Sequence, residues 1–234
     1  MKTLIIIPAF NEQDNIDKLL DELTQDYPQY DYVVINDCST DNTANILKNR
    51  KANYINLPTN LGIGGGVQTG YLYAYQNGYD IAVQMDGDGQ HLPEYLANII
   101  EPIEKGQADA VVGSRFINNE GFQSSFMRRL GIVILSTIIK MLTGMKITDV
   151  TSGFRAVNRK GIELFASNYA QDYPEPEALV VSALHGIKTI EVPVVMQERL
   201  GGKSSINGFK SAYYMIKVSL ALIFARITTK RRKA

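Results

Sequence analysis

Five runs of apolar residues recur along the first half of the chain and predict buried β-strands. They are KTLIIIP, DYVVIND, NYINLP, DIAVQMD and ADAVVGS, which begin at residues 2, 31, 53, 80 and 108. Because the runs are almost continuously apolar, they are typical of strands covered on both faces. The stretches between them have helical character near residues 12–26, 40–50, 63–77 and 93–104. This alternation predicts an α/β fold, a mostly parallel sheet with helices on both faces.

Polar residues stand where the first four predicted strands end. The set is Asn11 with Glu12, then Asp37, then Asn60, and finally Asp86 with Asp88. In open α/β sheets, ligands bind in the crevice outside the carboxyl ends of the strands. We therefore expect these side chains to line one crevice.

The segment QMDGDGQH, residues 84–91, places Asp86 and Asp88 between glycines at the end of a buried strand. Two carboxylates with open space around them suit Mg²⁺ or Mn²⁺, which take their other ligands from water and substrate phosphates. A polar turn is the alternative, since Asp and Gly are common turn residues. The position of the pair beside three other polar clusters favours a metal site and a phosphate-bearing substrate.

The second half of the chain contains two apolar segments with basic neighbours. Residues 130–144 follow two arginines and contain Lys140, so this segment is too short and too interrupted to span a bilayer. Residues 211–228 contain Lys217 and are followed by KRRK. Both segments suit core helices, but their basic flanks are more typical of helices that lie in the membrane interface.

The charges of the chain are unevenly distributed. It has 234 residues with 24 basic and 24 acidic side chains, yet residues 199–234 hold nine Lys and Arg and no Asp or Glu. This favours a polyanionic partner, and the apolar residues between the charges favour a membrane surface over nucleic acid. The start of the chain turns polar too early for a signal peptide, and the single Cys38 suits a reducing compartment. We expect a cytoplasmic protein, peripheral on the inner face of the cell membrane.

Other catalytic patterns do not fit. NLGIGGGVQTG, residues 60–70, lacks the Gly-Lys-Ser/Thr ending of a P-loop, although a helix N-terminus packed closely on a ligand suits this segment. His91 and His185 are far apart, and the sequence has no Cys/His cluster for zinc. We expect His185 to be structural and His91 to support the Asp86 segment.

Seven motifs together carry a resemblance to a known family. They are PAFNE (8–12), NDCSTDNT (36–43), NLGIGGGVQTG (60–70), MDGDGQHLPE (85–94), GSRF (113–116), DVTSGFRA (149–156) and ERLGGKSS (198–205). In this order, over nearly the whole chain, they resemble the family 2 glycosyltransferases, in the branch of dolichyl-phosphate mannose synthase and bacterial polyprenyl-phosphate glycosyltransferases. The resemblance implies a catalytic domain of GT-A type fold at residues 1–205 and an amphipathic, basic membrane-interface helix and tail at residues 206–234.

The resemblance also assigns roles to individual residues. The metal set that it implies, for Mg²⁺ or Mn²⁺, is Asp86, Asp88 and Gln90. The nucleotide-sugar pocket is implied to contain Pro8, Asn11, Glu12, Asp37, Gly64 and Asp86. The residues implied around the acceptor phosphate are Arg115, Arg128, Arg129, Arg199, Lys203 and Ser204. Catalysis is assigned to Asp86, Asp88, Arg115 and Arg199.

The implied activity is the inverting transfer of a sugar from a nucleoside diphosphate sugar to a polyprenyl phosphate, with undecaprenyl phosphate and UDP favoured. The chain ends after one predicted interfacial helix, without a pair of transmembrane helices. A small membrane-anchoring protein is therefore an expected partner, and a homo-oligomer is left open.

Two other functions stay open at this point. One is a glycosyltransferase with a polysaccharide or other hydroxyl acceptor, which needs a carboxylate base between residues 149 and 177. The other is a non-catalytic, membrane-surface nucleotide-binding protein. In DYPEPEALV, residues 172–180, Pro176 and Glu177 suit a helix start. Contact of Glu175 or Glu177 with the sugar is the second interpretation of that segment.

Overall fold

The computed structural model describes residues 1–118, 120–121, 126–197 and 208–228, with side chains at all of these except 126–128 and 208–214. In this part of the chain, seven strands form one sheet in the order β3-β2-β1-β4-β6-β5-β7. The strands are β1 (Thr3–Ala9), β2 (Asp31–Asn36), β3 (Tyr54–Asn56), β4 (Ile81–Gln84), β5 (Ala110–Ser114), β6 (Arg155–Asn158) and β7 (Thr189–Pro193). All pair in parallel except β6, so the predicted sheet and its five predicted strands are confirmed.

Eight α-helices surround the sheet within the described ranges. They are α1 (Ile16–Asp26), α2 (Thr43–Asn49), α3 (Gly62–Gln76), α4 (Leu96–Glu104), α5 (Phe126–Thr143), α6 (Arg159–Ser167), α7 (Pro174–Leu184) and α8 (Gly208–Thr228). The four helices predicted between the strands coincide with α1 to α4, and the two apolar segments form α5 and α8. The sequence patterns missed β6, β7 and α6, because short segments such as RAVN in β6 carry no periodic signal.

Alternate residues of the central strands point to opposite faces of the sheet and build two cores. On β1, Ile5 and Ile7 pack with α1 and α4, whereas Leu4 and Ile6 pack with α3 and α6. All four side chains are fully buried. Burial of each contributes about 1.5–3 kcal/mol to stability. Helices on both faces of the sheet therefore hold β1 in place, and β1 leads directly into the polar residues of PAFNE.

Strand β6 runs antiparallel to both of its neighbours, β4 and β5. The residues that precede β6 therefore reach the same edge of the sheet as the residues that follow β4 and β5. This reversal places the loop of residues 149–154 next to the segment that carries Asp86.

A third hydrophobic cluster joins α5, α7 and α8 through residues such as Ile132, Leu179 and Leu222. The other faces of α5 and α8 stay exposed. The large apolar residues on them are Leu130, Val133, Ile134 and Met141 in α5, and Ile216, Leu220, Ile223, Phe224 and Ile227 in α8. None of the helices in the described ranges combines the length and the apolar character needed to cross a membrane.

Candidate active site

A cleft of about 440 Å³ opens where β1, β2 and β4 end. Its lining includes Pro8, Glu12, Asp37, Asn60, Asp86 and Asp88. These residues come from all four of the polar clusters at the strand ends. The predicted crevice is therefore present, and of the predicted polar residues only Asn11 takes a different position.

Asn11 supports the cleft from beside it. Its backbone is in the left-handed region, with φ of 57°, which Asn tolerates better than most residues. Its side-chain oxygen accepts hydrogen bonds from the backbone N–H groups of Thr40 and Asp41, at 2.8 and 3.3 Å. Asn11 thus fixes the loop that follows β2, and its contact with the nucleotide stays a prediction.

Glu12 and Asp37 are buried acids that hold the wall of the cleft. Asp37 accepts a hydrogen bond from the backbone N–H of Leu61 at 2.7 Å, and its carbonyl oxygen accepts one from the Asn60 side chain at 3.1 Å. The Glu12 backbone N–H donates to the Thr43 hydroxyl at 2.9 Å. Asp37 thus joins the end of β2 to the start of α3, and its contact with a base or ribose stays a prediction.

Gly64 lies beneath the cleft rather than in its lining. A Cβ atom added to Gly64 would lie 2.3 Å from the carbonyl oxygen of Ala170. The missing side chain therefore allows α3 to pack closely on that backbone. Gly62, Ile63 and Gly66 line the cleft instead, and contact of Gly64 with the nucleotide stays a prediction.

Asp86 and Asp88 face the cleft directly after β4. Carboxylate and amide oxygens are ligands that Mg²⁺ and Mn²⁺ prefer, and the metal set of Asp86, Asp88 and Gln90 stays a prediction. The Gln90 amide nitrogen donates to the carbonyl oxygen of Gln197 at 3.3 Å, which orients the amide. Throughout the described residues, no three His, Cys, Asp or Glu side chains come together as a metal site. A bound ion would complete its coordination with water and substrate phosphates, as Mg²⁺ commonly does.

His91 supports the residue that carries the first of these carboxylates. Its buried ring lies nearly parallel to the Phe154 ring, with centroids 5.0 Å apart. Nδ1 accepts a hydrogen bond from the backbone N–H of Asp86 at 3.0 Å. The neutral ring therefore carries its proton on Nε2, which lies 3.8 Å from Asp86 Oδ2. Both ring nitrogens are directed at Asp86, in line with the supporting role expected of His91.

Gly153 leaves the space that the Asp86 carboxylate occupies. A Cβ atom at this position would lie 2.8 Å from Asp86 Oδ2 and 3.1 Å from the side-chain nitrogen of Gln84. Contacts this short force a displacement of the neighbouring groups. Gly153 and His91 therefore form a cradle for the Asp86 carboxylate.

Arg115 lies in a buried ion pair with Asp149. Its Nε and Nη2 atoms donate to the two carboxylate oxygens, each at 2.7 Å. The guanidinium groups of Arg115 and Arg129 lie 5.3 and 5.5 Å from the centroid of the Phe116 ring. The structure thus brings Arg115 and Arg129 together, but contact of either with a phosphate stays a prediction. The other predicted phosphate-binding groups, which are Arg199, Lys203, Ser204 and the side chain of Arg128, lie outside the described residues.

A buried polar network lies behind Asp86. The side-chain nitrogen of Gln84, which is fully buried, lies 3.4 Å from Asp86 Oδ1. The Gln84 oxygen accepts a hydrogen bond from the Tyr169 hydroxyl at 3.3 Å. Burial raises the pKa of the Glu175 carboxyl, the charge of Arg155 opposes this rise, and the charge of Asp86 adds to it.

Arg155 is a second buried guanidinium, and it binds backbone oxygens. It donates to the carbonyl oxygens of Ser152, Glu175 and Val150, at 2.6, 2.6 and 3.0 Å. These bonds join the loop before β6 to the first turn of α7. They give Arg155 of the S-G-F-R motif a role that the sequence pattern left undefined.

Comparison with known proteins identifies the family. Residues 4–165 match the sequence model of the family described as Glycosyl transferase family 2. The chain belongs to glycosyl transferase family 2. As a member of this family it is a glycosyltransferase, and the resemblance stated on the seven motifs is confirmed.

Two relatives extend the similarity over most of this family 2 chain. UDP-N-acetylglucosamine--dolichyl-phosphate N-acetylglucosaminyltransferase of Methanococcus voltae is 30% identical over 243 residues, covering 94% of this chain and 96% of the relative. Undecaprenyl-phosphate mannosyltransferase of Micrococcus luteus is 30% identical over 217 residues, covering 89% of this chain and 88% of the relative.

A solved structure shares the fold of this glycosyltransferase. Glucosyl-3-phosphoglycerate synthase from Mycobacterium tuberculosis, in complex with Mn²⁺, uridine diphosphate and phosphoglyceric acid, matches it with a TM-score of 0.70 at 18% identity. The match covers 98% of this chain and 79% of the other. It confirms the GT-A fold.

Sequence reasoning found the carboxylates of this glycosyltransferase but missed the residues that support them. Gln84, Gly153 and Arg155 received no role in the site. Gln84 could have been found from the sequence, because a polar residue inside an otherwise apolar strand needs a buried hydrogen-bonding partner. The glycine of S-G-F-R gave no such signal, because its neighbour Asp86 is distant in sequence.

Proposed function

We propose that this glycosyltransferase moves a sugar from a nucleoside diphosphate sugar to a polyprenyl phosphate, with inversion and with UDP favoured over GDP. The observation that carries the proposal is the pair Asp86 and Asp88 at the cleft after β4. The two relatives support the acceptor, since one is named for dolichyl phosphate and the other for undecaprenyl phosphate. The Mn²⁺ and uridine diphosphate in the M. tuberculosis structure support the metal and the nucleotide.

Asp86, Asp88 and Gln90 would hold Mg²⁺ or Mn²⁺. When bound, such an ion neutralises the negative charge that develops on the diphosphate leaving group. The chain itself holds the backbone of Asp86 through His91, and Gly153 leaves room for its carboxylate. Pro8, Glu12 and Asp37, which line the same cleft, are the proposed nucleotide contacts.

The acceptor chemistry does not require a strong general base. A phosphate monoester has a second pKa of about 6, so it is mostly dianionic at neutral pH. One of its oxygens attacks the anomeric carbon from the face opposite the diphosphate, and the bond from that carbon to the diphosphate oxygen breaks. Asp149 is a poor base, because it is fully buried and both of its oxygens accept from Arg115. Asp149 is thereby removed from the candidate bases that a hydroxyl acceptor would need.

Two anionic phosphates repel each other, so their alignment needs positive charge between them. Arg115 and Arg129, whose guanidinium groups flank Phe116, are proposed to supply part of it. The further residues proposed for this role are Arg128, Arg199, Lys203 and Ser204.

We also propose that α5 and α8 lie on the inner, anionic surface of the cell membrane. Each helix keeps one apolar face in the third core cluster and a second apolar face exposed. Neither helix contains an Asp or Glu, and both contain Lys or Arg. Exposed apolar residues with basic neighbours suit insertion between anionic lipid headgroups. We accordingly propose residues 206–234 as the membrane-interface part and residues 1–205 as the catalytic part.

Replacing Phe224 and Ile227 by serine is expected to weaken binding to phosphatidylglycerol vesicles at least about tenfold. Each lost apolar side chain removes about 1.5–3 kcal/mol of burial, and both residues are exposed, with 61% and 72% accessibility, so the fold is retained. Vesicle co-sedimentation measures the effect. Leu72→Ser on α3, at a residue with 42% exposure, is the matched control and should bind as the wild type does. Equal binding of all three proteins would refute the membrane face.

Replacing Gly153 by alanine is expected to displace the Asp86 carboxylate and to lower the affinity for Mn²⁺ about tenfold. Calorimetric titration of Mn²⁺ in the presence of UDP measures this affinity. Gly186→Ala is the control, because Gly186 has φ of 72° and nothing within 4 Å of an added Cβ. That variant should lose stability through backbone strain and keep its metal affinity. Wild-type affinity in Gly153→Ala would argue against the cradle.

The function itself is tested by incubating the protein with a panel of labelled UDP- and GDP-sugars, undecaprenyl phosphate and Mg²⁺ or Mn²⁺ in detergent. Label that enters the organic phase, and that EDTA abolishes, is the expected result, and the active donor names the sugar and the nucleotide. Metal-dependent nucleotide release only with an oligosaccharide or protein acceptor would instead establish a hydroxyl acceptor.

A further inference from the structure

Glu175 occupies a position next to the proposed metal pair that the reaction as described leaves unused. It lies in the first turn of α7, where its backbone carbonyl accepts a hydrogen bond from Arg155 at 2.6 Å. Gln84, Tyr169 and Arg155 around it are buried, whereas Glu175 and Asp86 are partly exposed. Glu175 and Asp86 are therefore the members of this polar network that are not fully buried.

A single amide group links Glu175 to Asp86. The side-chain nitrogen of Gln84 lies 3.4 Å from Asp86 Oδ1 and also lies close enough to the Glu175 carboxyl to lower its pKa. Because Gln84 is fully buried and its oxygen accepts from the Tyr169 hydroxyl, the amide cannot rotate without losing a hydrogen bond. The amide between the two carboxyl groups is thus held in a fixed orientation, and the Glu175 backbone is held beside it by Arg155.

We propose that Glu175 accepts hydrogen bonds from hydroxyl groups of the transferred sugar and so selects which sugar is transferred. The inference rests on the proposed function, in which the donor diphosphate lies at Asp86 and Asp88. The sugar is bonded directly to that diphosphate, so its ring lies within a few bonds of Asp86. A carboxylate can accept from two neighbouring hydroxyls at once, and a site built to bind a hydroxyl rejects sugars that lack it in that orientation.

Glu177 provides a matched comparison on the same helix. It is also a partly buried glutamate in the first turn of α7, but burial and the charge of Asp172, rather than of Asp86 or Arg155, shift its pKa, and the direction is upward. Substitution of Glu177 therefore controls for the loss of a negative charge near the start of α7, without disturbing Gln84.

The experiment compares the wild type with Glu175→Gln, Glu175→Ala and Glu177→Gln, each checked for folding by thermal unfolding. Equilibrium titrations in Mn²⁺ measure the affinities for UDP, for GDP and for the tightest-binding donor of the UDP- and GDP-sugar panel. Glu175→Gln is expected to bind that donor about tenfold more weakly, and Glu175→Ala more weakly still, while binding of the free nucleotide is unchanged. The ratio of affinities for two donors that differ only in the orientation of one hydroxyl should also fall in both Glu175 variants. Glu177→Gln should behave as the wild type.

Two results would overturn the proposal. One is donor affinity and donor discrimination in Glu175→Gln equal to those of Glu177→Gln. The other is an equal loss of affinity for free nucleotide and for nucleotide sugar, which would show that Glu175 acts only by holding Gln84 and Asp86. These titrations measure donor binding only, so their results do not depend on whether the proposed acceptor is correct. A wild type that binds nucleotide sugars but transfers none to polyprenyl phosphate would refute the acceptor and leave the role of Glu175 testable.

Discussion

Replacing Asp88 by asparagine is expected to lower sugar transfer about 10²- to 10³-fold while the protein stays folded. Loss of one carboxylate ligand removes several kcal/mol of charge stabilisation from the leaving diphosphate, and each 1.36 kcal/mol corresponds to a tenfold change in rate. The fold should tolerate the change, because Asp88 Oδ1 accepts a hydrogen bond from the backbone N–H of Gln90 at 3.1 Å and an asparagine oxygen can accept the same bond.

Three measurements on Asp88→Asn distinguish its effects. Transfer rate and Mn²⁺ affinity should both fall, whereas the thermal unfolding midpoint should not change. Asp26→Asn, at an exposed residue at the end of α1, is the control and should match the wild type in all three. Wild-type turnover in Asp88→Asn would sink the assignment of this pair to the metal. A strongly lowered thermal unfolding midpoint of Asp88→Asn would instead show that Asp88 is needed for folding.

Replacing Arg115 by methionine is expected to destabilise the protein by roughly 3–5 kcal/mol, because Asp149 is then a buried charge without its main partner. Asp149 is 0% exposed and Arg115 is 8% exposed in this pair. A loss of this size lowers the melting temperature of a chain of this length by about 10 °C. The double variant Arg115→Met with Asp149→Leu should recover much of the loss, since apolar groups replace both members of the pair.

Urea unfolding of the single and double variants measures this coupling. Lys105→Met is the surface control, since Lys105 pairs with Glu101 in an exposed i,i+4 arrangement that contributes less than about 1 kcal/mol. A single Arg115 variant no less stable than this control would contradict the buried-pair argument. Activity of a stable double variant then tests the predicted contact of Arg115 with phosphate, because a purely structural Arg115 would leave transfer intact.

The first half of the chain could be predicted because each element there carries its own local signal. Strands β1, β2 and β4 are covered on both faces, and their apolar runs are therefore continuous. In a parallel sheet, strands of this kind present their carboxyl ends at one edge, so the meeting of Asp37, Asp86 and Asp88 followed from strand direction alone.

The supports of the site could not be predicted, because they depend on a reversal that no local pattern encodes. Only the antiparallel course of β6 brings Asp149 to Arg115 and Gly153 to Asp86. The same limit explains Asn11 and Gly64. Asn11 belongs to a polar cluster and Gly64 to the glycine-rich segment, and both residues contact the backbone of other segments. The local sequence does not distinguish such contacts from contacts with a ligand.

The antiparallel course of β6 also determines where this chain tolerates added residues. Because β6 is paired on both sides, one residue inserted or deleted between Asp149 and Arg155 would displace either Gly153 from Asp86 or Asp149 from Arg115. The turns before β5 and β7 lie at the opposite edge, and a Cβ added at Gly106 or Gly186 meets nothing within 4 Å. Such exposed turns accept insertions most readily, so they are the positions at which a reporter peptide can be placed without shifting the catalytic edge.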